Sequence, residues 1–164
     1  MGLVTEFPPD YTVGQVPWDD AGALRLRTLM AEEVVPRYAD LDLSAQRVTP
    51  PRAGDVVATL VVYRGEQPVG TASLVEVEGF FEVKRVVVAR GHRRRGLARA
   101  LVSAVEELAA ARGIDRLVLQ TGIRQPEAIS LYESLGWRRI PPFGPYADDT
   151  VVSVCFTKRI NGDD

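Results

Sequence analysis

The sequence predicts an α/β fold, in which a mixed sheet of about six or seven strands carries helices on both faces. Three strand-like runs joined by short turns, between residues 56 and 89, predict an antiparallel meander. An amphipathic helix over residues 96–112 follows, and the unbroken apolar triplet Leu117–Leu119 then predicts a strand covered on both faces. Because strand, helix and strand follow one another with a crossover of this length, the two strands should run parallel.

Composition predicts one globular domain over residues 1–164. The chain is 46% hydrophobic and 26% charged with a formal net charge of −2, so its surface as a whole has no attraction for nucleic acid or an anionic membrane. A single cysteine, Cys155, excludes an internal disulfide and a cysteine-built metal site, and we expect no metal. Because no secretion signal and no apolar run near the ~20 residues of a membrane span is visible, we expect a cytoplasmic protein.

The first third of the chain predicts one strand, one helix and a loop. The run "YTVGQV", residues 11–16, predicts the strand. Asp19 or Asp20 is placed to cap the helix, which Pro36 ends or kinks. Residues 41–55 are rich in turn-forming residues and predict a loop. The apolar positions of the helix include Leu24, Leu26, Leu29, Met30, Val34 and Val35.

The meander and its crossover helix come next. Its strands are predicted at residues 56–64, 69–78 and 80–89, with turns at 65–68 and at Gly79. The helix over residues 96–112 presents one apolar face, formed by Leu97, Leu101, Val105 and Leu108.

The last part of the chain predicts a second helix between further strands. Gly113 ends the crossover helix, and the strand at residues 116–121 follows. Pro126 suits the first turn of the second helix, and Gly136 lies just past its end. The remaining elements are a short strand at 137–140, a loop at 141–149 and a final strand at 150–158.

A turn rich in arginine joins the third meander strand to the crossover helix. Between Val83 and Val105 no residue is acidic and seven are basic: Lys84, Arg85, Arg90, Arg93, Arg94, Arg95 and Arg99. The first N–H groups of a helix lack internal partners, and the helix dipole favours negative charge there. Gly96 has no Cβ, so an anion can approach the backbone closely. The turn therefore predicts an anion site that suits a phosphate.

Two phosphate-binding motifs do not fit this turn. Gly91 and Gly96 match G-x-x-x-x-G, but Leu97 and Ala98 stand where a P-loop has lysine and serine or threonine. The glycine spacing of a dinucleotide-binding fingerprint also fails. A solvated basic turn that touches nucleic acid through residues 90–99 stays open as an interpretation, although no aromatic platform flanks it.

The turn and two further motifs resemble one protein family. The run "RRRGLA" (93–98) matches the Q/R-x-x-G-x-G/A turn of the GNAT superfamily of N-acetyltransferases. The run "EVKRVVV" (82–88) resembles the strand before that turn, and "QPEAISLYESLGW" (125–137) resembles the family's second motif. Order and spacing agree over roughly residues 55–158, and the C-terminal runs "PPFGPYADD" and "SVCF" resemble a bacterial subgroup. The resemblance implies a GNAT-like fold.

The resemblance also implies acetyl-CoA as co-substrate and direct transfer of its acetyl group, in a ternary complex, to a primary amine of a small molecule or peptide. The pyrophosphate would lie on the backbone amides of Arg93–Ala98, and the pantetheine arm beside the backbone of Val86–Val88. The implied cofactor-binding residues are Val86, Val87, Val88, Arg93, Arg94, Arg95, Gly96, Leu97, Ala98, Gln125 and Tyr132. The alternative is a CoA-binding sensor or partner module without transfer activity. We expect no nucleic acid or membrane partner, and assembly as a homodimer stays open.

A glutamate in the third meander strand stands where the family often has its base. Glu82 lies four residues before Val86, and strict alternation would place the two on one face. The alternative role for Glu82 is a salt bridge with Lys84 or Arg85. Rival bases on the preceding strand are Glu76 and Glu78.

Three aromatic residues complete the set of candidate residues. Tyr132 stands at the family's position for protonating the leaving thiolate, and a phenol of pKa about 10 can do so for a thiolate of pKa about 8.5 only slightly uphill. The alternative is a helix tyrosine packed against the sheet. Phe143 and Tyr146 precede the last strand, where they either line the acceptor pocket or cover the end of the sheet.

Overall fold

The computed structural model describes residues 2–43 and 50–162, so part of the predicted loop at 41–55 lies outside the described residues. The described strands are β1 (Tyr11–Val16), β2 (Val56–Arg64), β3 (Gln67–Val77), β4 (Phe80–Val88), β5 (Arg116–Gly122), β6 (Arg138–Ile140) and β7 (Ser153–Arg159). The helices are α1 (Ala21–Val34), α2 (Leu97–Ala111) and α3 (Pro126–Ser134). Short 3₁₀ turns lie at Val35–Tyr38, Ala53–Asp55, Arg90–His92 and Gly144–Tyr146. Within this part of the chain, no helix is long and apolar enough to cross a lipid bilayer.

The strands form a single sheet in the order β1-β2-β3-β4-β5-β7-β6. β1 pairs antiparallel with β2, and β2 to β4 form the antiparallel meander. β4 pairs in parallel with β5 across the α2 crossover. β7 lies between β5 and β6 and is antiparallel to both. The mixed α/β fold that the sequence predicts is confirmed.

Two element boundaries differ from the prediction by more than one residue. The turn between β2 and β3 contains only residues 65 and 66, because Gly65 adopts a left-handed φ of 60° and closes a two-residue hairpin. The final strand begins at Ser153 and not at residue 150. The Asp149 carboxylate holds the preceding residues in a turn, since it accepts hydrogen bonds from the backbone N–H groups of Val151, Val152 and Ser153.

Both faces of the sheet are covered. Along β2, Leu60 and Val62 lie in one apolar core with Leu101 of α2. Thr59 and Val61 point to the opposite face, because successive side chains of a strand alternate, and both are also buried. Since α1 contacts β2, β3 and β4, we assign α1 to this second face. The predicted placement of helices on both faces therefore agrees with the burial pattern.

Helix α1 is held by a narrow apolar stripe. It begins after Asp20, whose carboxylate accepts a hydrogen bond from the Ala23 N–H at 3.0 Å, so Asp20 and not Asp19 is the cap. Its buried residues are Ala23 and Leu26. Three of the apolar positions noted in the sequence are exposed, namely Leu24, Leu29 and Val35. The apolar spacing thus predicts the helix correctly but not which of its side chains are buried.

Strand β4 contains a bulge at Arg85. Its pairing with β3 shifts between Lys84 and Val87, and Arg85 has a left-handed φ of 57°. The extra residue interrupts the alternation of side chains, so Glu82 shares its face with Lys84 and Val87. The prediction that Glu82 and Val86 share a face by strict alternation is wrong, because the bulge breaks that alternation. No feature of the local sequence marks the bulge.

The two halves of β4 have different neighbours. Pairing with β5 is recorded at Glu82 and Val118, whereas Val86–Val88 pair with β3 alone among the described strands. The Ala89 N–H donates to a β3 carbonyl at 2.9 Å, so the N–H and C=O of the residue before it point to the opposite edge. The backbone of β4 is therefore open on its β5 side just before the arginine-rich turn, except that the Val88 carbonyl accepts a hydrogen bond from Arg93 Nε at 2.9 Å.

Tyr38 fastens the 3₁₀ turn after α1 to the end of β5. Its hydroxyl donates to Gln125 Oε1 at 3.3 Å and accepts from the Arg124 N–H at 3.1 Å. The hydroxyl occupies the space that a Cβ on Gly122 would need. Gly122 is therefore required for close approach and not for a special backbone angle, and the contact sets the distance between α1 and α3.

Replacing this glycine should destabilise the protein. In Gly122→Ala, the new Cβ would lie 1.8 Å from the Tyr38 hydroxyl, so the buried tyrosine must shift and the free energy of unfolding should fall by about 1–3 kcal/mol. Gly14→Ala is the matched control, because the nearest atom to its Cβ would be 3.7 Å away on the Tyr63 ring. Urea denaturation measures both variants, and equal stabilities would contradict the close approach.

Candidate functional site

A cleft of about 360 Å³ opens between α1, the open edge of β4, the arginine-rich turn and the start of α3. Ten of the residues predicted to bind a cofactor line it, namely Val86, Val87, Val88, Arg93, Arg94, Gly96, Leu97, Ala98, Gln125 and Tyr132. Arg95 does not line it, and its guanidinium instead donates to the Tyr11 hydroxyl at 3.1 Å. Helix α1 and the turn after it add lining residues that the sequence analysis did not identify, including Met30, Glu33, Val34 and Arg37.

The turn before α2 presents a row of backbone N–H groups. The first hydrogen bond of the helix runs from the Ala100 N–H to the Gly96 carbonyl at 3.0 Å. The N–H groups of residues 94–99 have no hydrogen-bond acceptor within the part of the chain that the structure describes. Arg94 and Gly96 have left-handed φ values of 62° and 82°, which turns successive N–H groups toward one side. This geometry, added to the helix dipole, suits a phosphate or pyrophosphate.

The Arg93 side chain holds this turn in place. Its Nε donates to the Val88 carbonyl at 2.9 Å, and its two terminal nitrogens donate to the Glu33 carboxylate at 2.8 and 2.6 Å. These contacts tie the turn to both β4 and α1. Arg94, by contrast, makes no side-chain hydrogen bond or ion pair to any described residue. Most of the charge counted in the sequence therefore serves the shape of the turn, and its backbone is left to meet an anion.

Glu33 is the centre of an ion cluster on the wall of the cleft. Besides Arg93, it pairs with Arg37 at 3.5 Å and with Arg90 at 3.8 Å. The hydrogen bond from Arg93 lowers the pKa of Glu33, so the carboxylate stays ionised at neutral pH. Glu33 at the end of α1 and Arg37 in the following turn are four residues apart, a spacing that indicates an ion pair, but the two longer-range partners are not marked in the sequence.

Gln125 and Tyr132 contribute the α3 side of the cleft. Gln125 Oε1 accepts a hydrogen bond from the Gly122 N–H at 3.2 Å, which shapes the loop before the helix. Tyr132 is buried, and its ring packs against Trp137 and Phe156. Its hydroxyl has no hydrogen-bond partner among the described residues. Burial raises the pKa of Tyr132, so the phenol is protonated at neutral pH. The Tyr132 side chain thus both packs against the sheet and lines the cleft.

Glu82 lies in a buried cluster and does not line the cleft. It is 2% exposed, and its Oε2 accepts a hydrogen bond from the Tyr146 hydroxyl at 2.8 Å. Lys84 Nζ donates to the same hydroxyl at 2.8 Å and lies 3.7 Å from Glu82 Oε2. Burial raises the pKa of Glu82, and the Lys84 ammonium opposes that rise. The salt bridge considered from the sequence therefore forms. Because the effect of burial is larger, the pKa of Glu82 still lies above that of an exposed glutamate.

The remaining candidates lie away from the cleft. Phe143 and Tyr146 pack with Val118 and Cys155 in a second apolar cluster at the sheet, so they cover the sheet at this point. Burial raises the pKa of Cys155 to about 11, which keeps the thiol protonated and unreactive. The rival bases are exposed, namely Glu76 and Glu78. The described residues contain no cluster of side chains that could hold a metal ion.

Comparison with known protein families assigns the chain to one of them. The sequence profile described as the acetyltransferase (GNAT) family matches residues 23–137, which include most of α1, β2 to β5, α2 and α3. The chain belongs to the GNAT family. The matched residues also contain the arginine-rich turn and every residue predicted to bind the cofactor.

Individual GNAT relatives agree with this assignment. The chain is 37% identical over 92 residues to IAA acetyltransferase of Azospirillum brasilense, a match that covers 55% of this chain and 60% of that protein. The chain thus spans less than two thirds of this relative's length. A solved structure from Klebsiella pneumoniae, provisionally assigned as an acyl-CoA N-acyltransferase, is 32% identical and covers 92% of this chain and 98% of its own, with a TM-score of 0.75. IAA acetyltransferase from Bacillus cereus shares the fold, with a TM-score of 0.65 at 16% identity over 91% of this chain and 99% of its own.

Proposed function

We propose that this GNAT protein is an N-acetyltransferase that takes the acetyl group of acetyl-CoA and passes it directly to a primary amine in a ternary complex. The observation that carries the proposal is the row of unbonded N–H groups at residues 94–99, at one end of a cleft walled by the open edge of β4. A donor with a pyrophosphate and an amide-containing arm matches both features. The acceptor is the amine of a small molecule or a peptide.

The backbone carries donor binding in this proposal. The N–H groups of residues 94–98 hold the pyrophosphate, whereas the Arg93 N–H, which the sequence analysis included, donates to the Arg90 carbonyl at 3.4 Å. Arg94 adds a cation that no other described residue engages. The open edge of Val86–Val88 pairs with the amides of the pantetheine arm, as an added strand would. The Val88 N–H points to this edge and is placed to donate to the acetyl oxygen as that oxygen gains negative charge. The thioester supplies an acetyl group that is activated for attack by an amine.

Glu82 is the base that we propose for the amine. A raised pKa makes its carboxylate a stronger proton acceptor near neutral pH than an exposed glutamate. Because Glu82 is not on the cleft wall, the proton reaches it through a water molecule. Tyr146 and Lys84 hold Oε2, which leaves Oε1 without a hydrogen-bond partner among the described residues. The contacts at Oε2 therefore orient the carboxylate, and Oε1 is free to accept the proton.

Tyr132 is the proton donor to the leaving group. Carbon–nitrogen bond formation is accompanied by cleavage of the carbon–sulfur bond, and the departing thiolate takes the phenol proton. Tyr132 lines the cleft, is protonated at neutral pH and has no competing hydrogen bond among the described residues. Its ring contacts with Trp137 and Phe156 hold the hydroxyl in one position.

We infer one transferase domain over residues 1–164 and a cytoplasmic location, while homodimer formation stays open. No nucleic acid partner is proposed, because three of the turn's arginines are engaged inside the chain: Arg93 by Glu33, Arg95 by Tyr11 and Arg99 by Ser134.

Substitution at the turn tests the proposal as a whole. Gly96→Glu should abolish acetyl-CoA binding in calorimetry, because it puts a negative charge and a side chain where the pyrophosphate lies. Gly65→Glu is the matched control, since Gly65 also has a left-handed φ and open space but lies in the β2–β3 turn. Absence of binding in the wild type, or equal binding in both variants, would remove the proposal.

A second variant tests the proton donor. Tyr132→Phe keeps the ring packing and removes only the hydroxyl, so kcat should fall by roughly 10²-fold while the Kd for acetyl-CoA changes little. Tyr63→Phe, a tyrosine of β2 outside the cleft, controls for loss of a phenol. Thiol release in steady state and calorimetry give the two quantities. If kcat is unchanged, Tyr132 has only its packing role.

The pH profile tests the base. A carboxylate accepts a proton only when it is ionised, so kcat/KM should rise with pH through the raised pKa of Glu82. Lys84→Met removes a cation that lowers this pKa, so the rise should move to higher pH, whereas Lys84→Arg keeps the charge and should leave it in place. A profile that Lys84→Met does not move would assign the rise to the free amine and not to Glu82.

A further inference from the structure

Two arginines lie close in sequence to residues that line the cleft. Met30 and Val34 of α1 line the cleft, and Arg27 lies three and seven residues before them, on the same side of the helix. Across from α1, Val86 lines the cleft and Arg85 is the bulged residue just before it. Arg27 and Arg85 therefore flank the cleft wall, one from the helix and one from the strand, although neither residue lines the cleft itself.

The Arg27 guanidinium is held in place but incompletely paired. It stacks on the Trp18 ring at 3.6 Å from the ring centre, and its Nη2 donates to the Trp18 carbonyl. Its Nη1 is buried and has no hydrogen-bond partner among the described residues. A buried donor of a charged group without an acceptor is unfavourable, so a turn of the side chain that brings this nitrogen to an acceptor from outside the chain would be favourable.

The surroundings of Arg27 carry a positive charge. Burial lowers the pKa of Arg27, and Arg85 lies close enough to lower it further. Arg85 itself is exposed and makes no hydrogen bond or ion pair with a described residue. Asp20 is the acidic group that acts on Arg27, but one of its oxygens is occupied by the helix cap. Lys84 is already balanced by Glu82.

We propose that Arg27 and Arg85 bind a carboxylate on the acceptor, so that the substrate is a primary amine that carries a carboxylate. The inference rests on the proposed function, because it places the amine beside Val86 and the carboxylate at the adjoining end of the cleft. A planar guanidinium matches a carboxylate and is rigidly supported here by the Trp18 ring. The carboxylate belongs either to a free amino acid or to an acidic residue next to the N-terminus of a peptide, and the experiment separates these sources.

Matched amines test the inference with the full-length protein. For alanine, leucine, phenylalanine and glutamate, acetylation of the amino acid is compared with that of its amide and its decarboxylated amine. An amidated peptide with aspartate after its N-terminal residue is compared with the asparagine version. We expect kcat/KM for one carboxylate-bearing series to exceed that of its neutral counterparts by about tenfold or more.

Variants then assign the preference to the two arginines. Arg27→Gln and Arg85→Asn, the latter chosen because asparagine tolerates a left-handed φ, should each remove most of the preference by raising KM for the acceptor. The Kd for acetyl-CoA should be unchanged. Arg27→Lys keeps the charge and should retain part of the preference. Arg25→Gln is the matched control, because Arg25 is an exposed arginine of the same helix.

The outcomes separate this inference from the proposed function. Acetylation without a preference for carboxylates, or a preference that survives both Arg27→Gln and Arg85→Asn, overturns the inference and leaves the transferase proposal intact. Preference for the aspartate peptide alone supports the site and identifies a side chain as the source of the carboxylate. Thiol release with none of the amines overturns the inference, while calorimetry with acetyl-CoA decides separately whether the cofactor assignment stands.

Discussion

The parting of β4 from β5 is the constraint on which the site depends. The strands are paired at Glu82 and Val118, and beyond that point the backbone of Val86–Val88 has a strand neighbour on one side only. A sheet interior does not normally leave main-chain donors and acceptors open, because buried polar groups without partners are unfavourable. The open edge is tolerable because the cleft beside it admits solvent or a ligand. The same parting creates the space and supplies the hydrogen-bonding wall.

The arginine-rich turn combines two roles that are easily confused. Its side chains carry the charge, but the Arg93 guanidinium donates its hydrogen bonds to the Val88 carbonyl and to Glu33. Its backbone, with left-handed residues at Arg94 and Gly96, presents N–H groups toward the cleft. The ion cluster around Glu33 fixes the turn relative to α1, and the helix dipole and free N–H groups provide the attraction for an anion. Specific geometry thus comes from the main chain, and the arginines maintain it.

Burial gives Glu82 and Tyr132 complementary states at neutral pH. In both cases low solvent access disfavours the charged form. For a carboxylate this raises basicity, whereas for a phenol it secures the proton. Lys84 limits the effect on Glu82, so the carboxylate is ionised more readily than burial alone would allow. The interpretations of Glu82 as an ion-pair partner and as a base are therefore compatible, because the ion pair is what tunes the carboxylate.

The sequence by itself determined the mixed fold, the crossover helix and the place of the arginine-rich turn, because each depends on local periodicity, helix-end chemistry and glycine placement. It also marked Val86–Val88 and Tyr132, which line one cleft. Only the tertiary structure decided the bulge at Arg85, the order of the last three strands and the contribution of α1. These features depend on contacts between residues far apart in the chain, such as Arg93 with Glu33, and no local pattern encodes such a contact. The face on which Glu82 lies has the same origin, since one extra residue in β4 separates it from Val86 and places it with Val87.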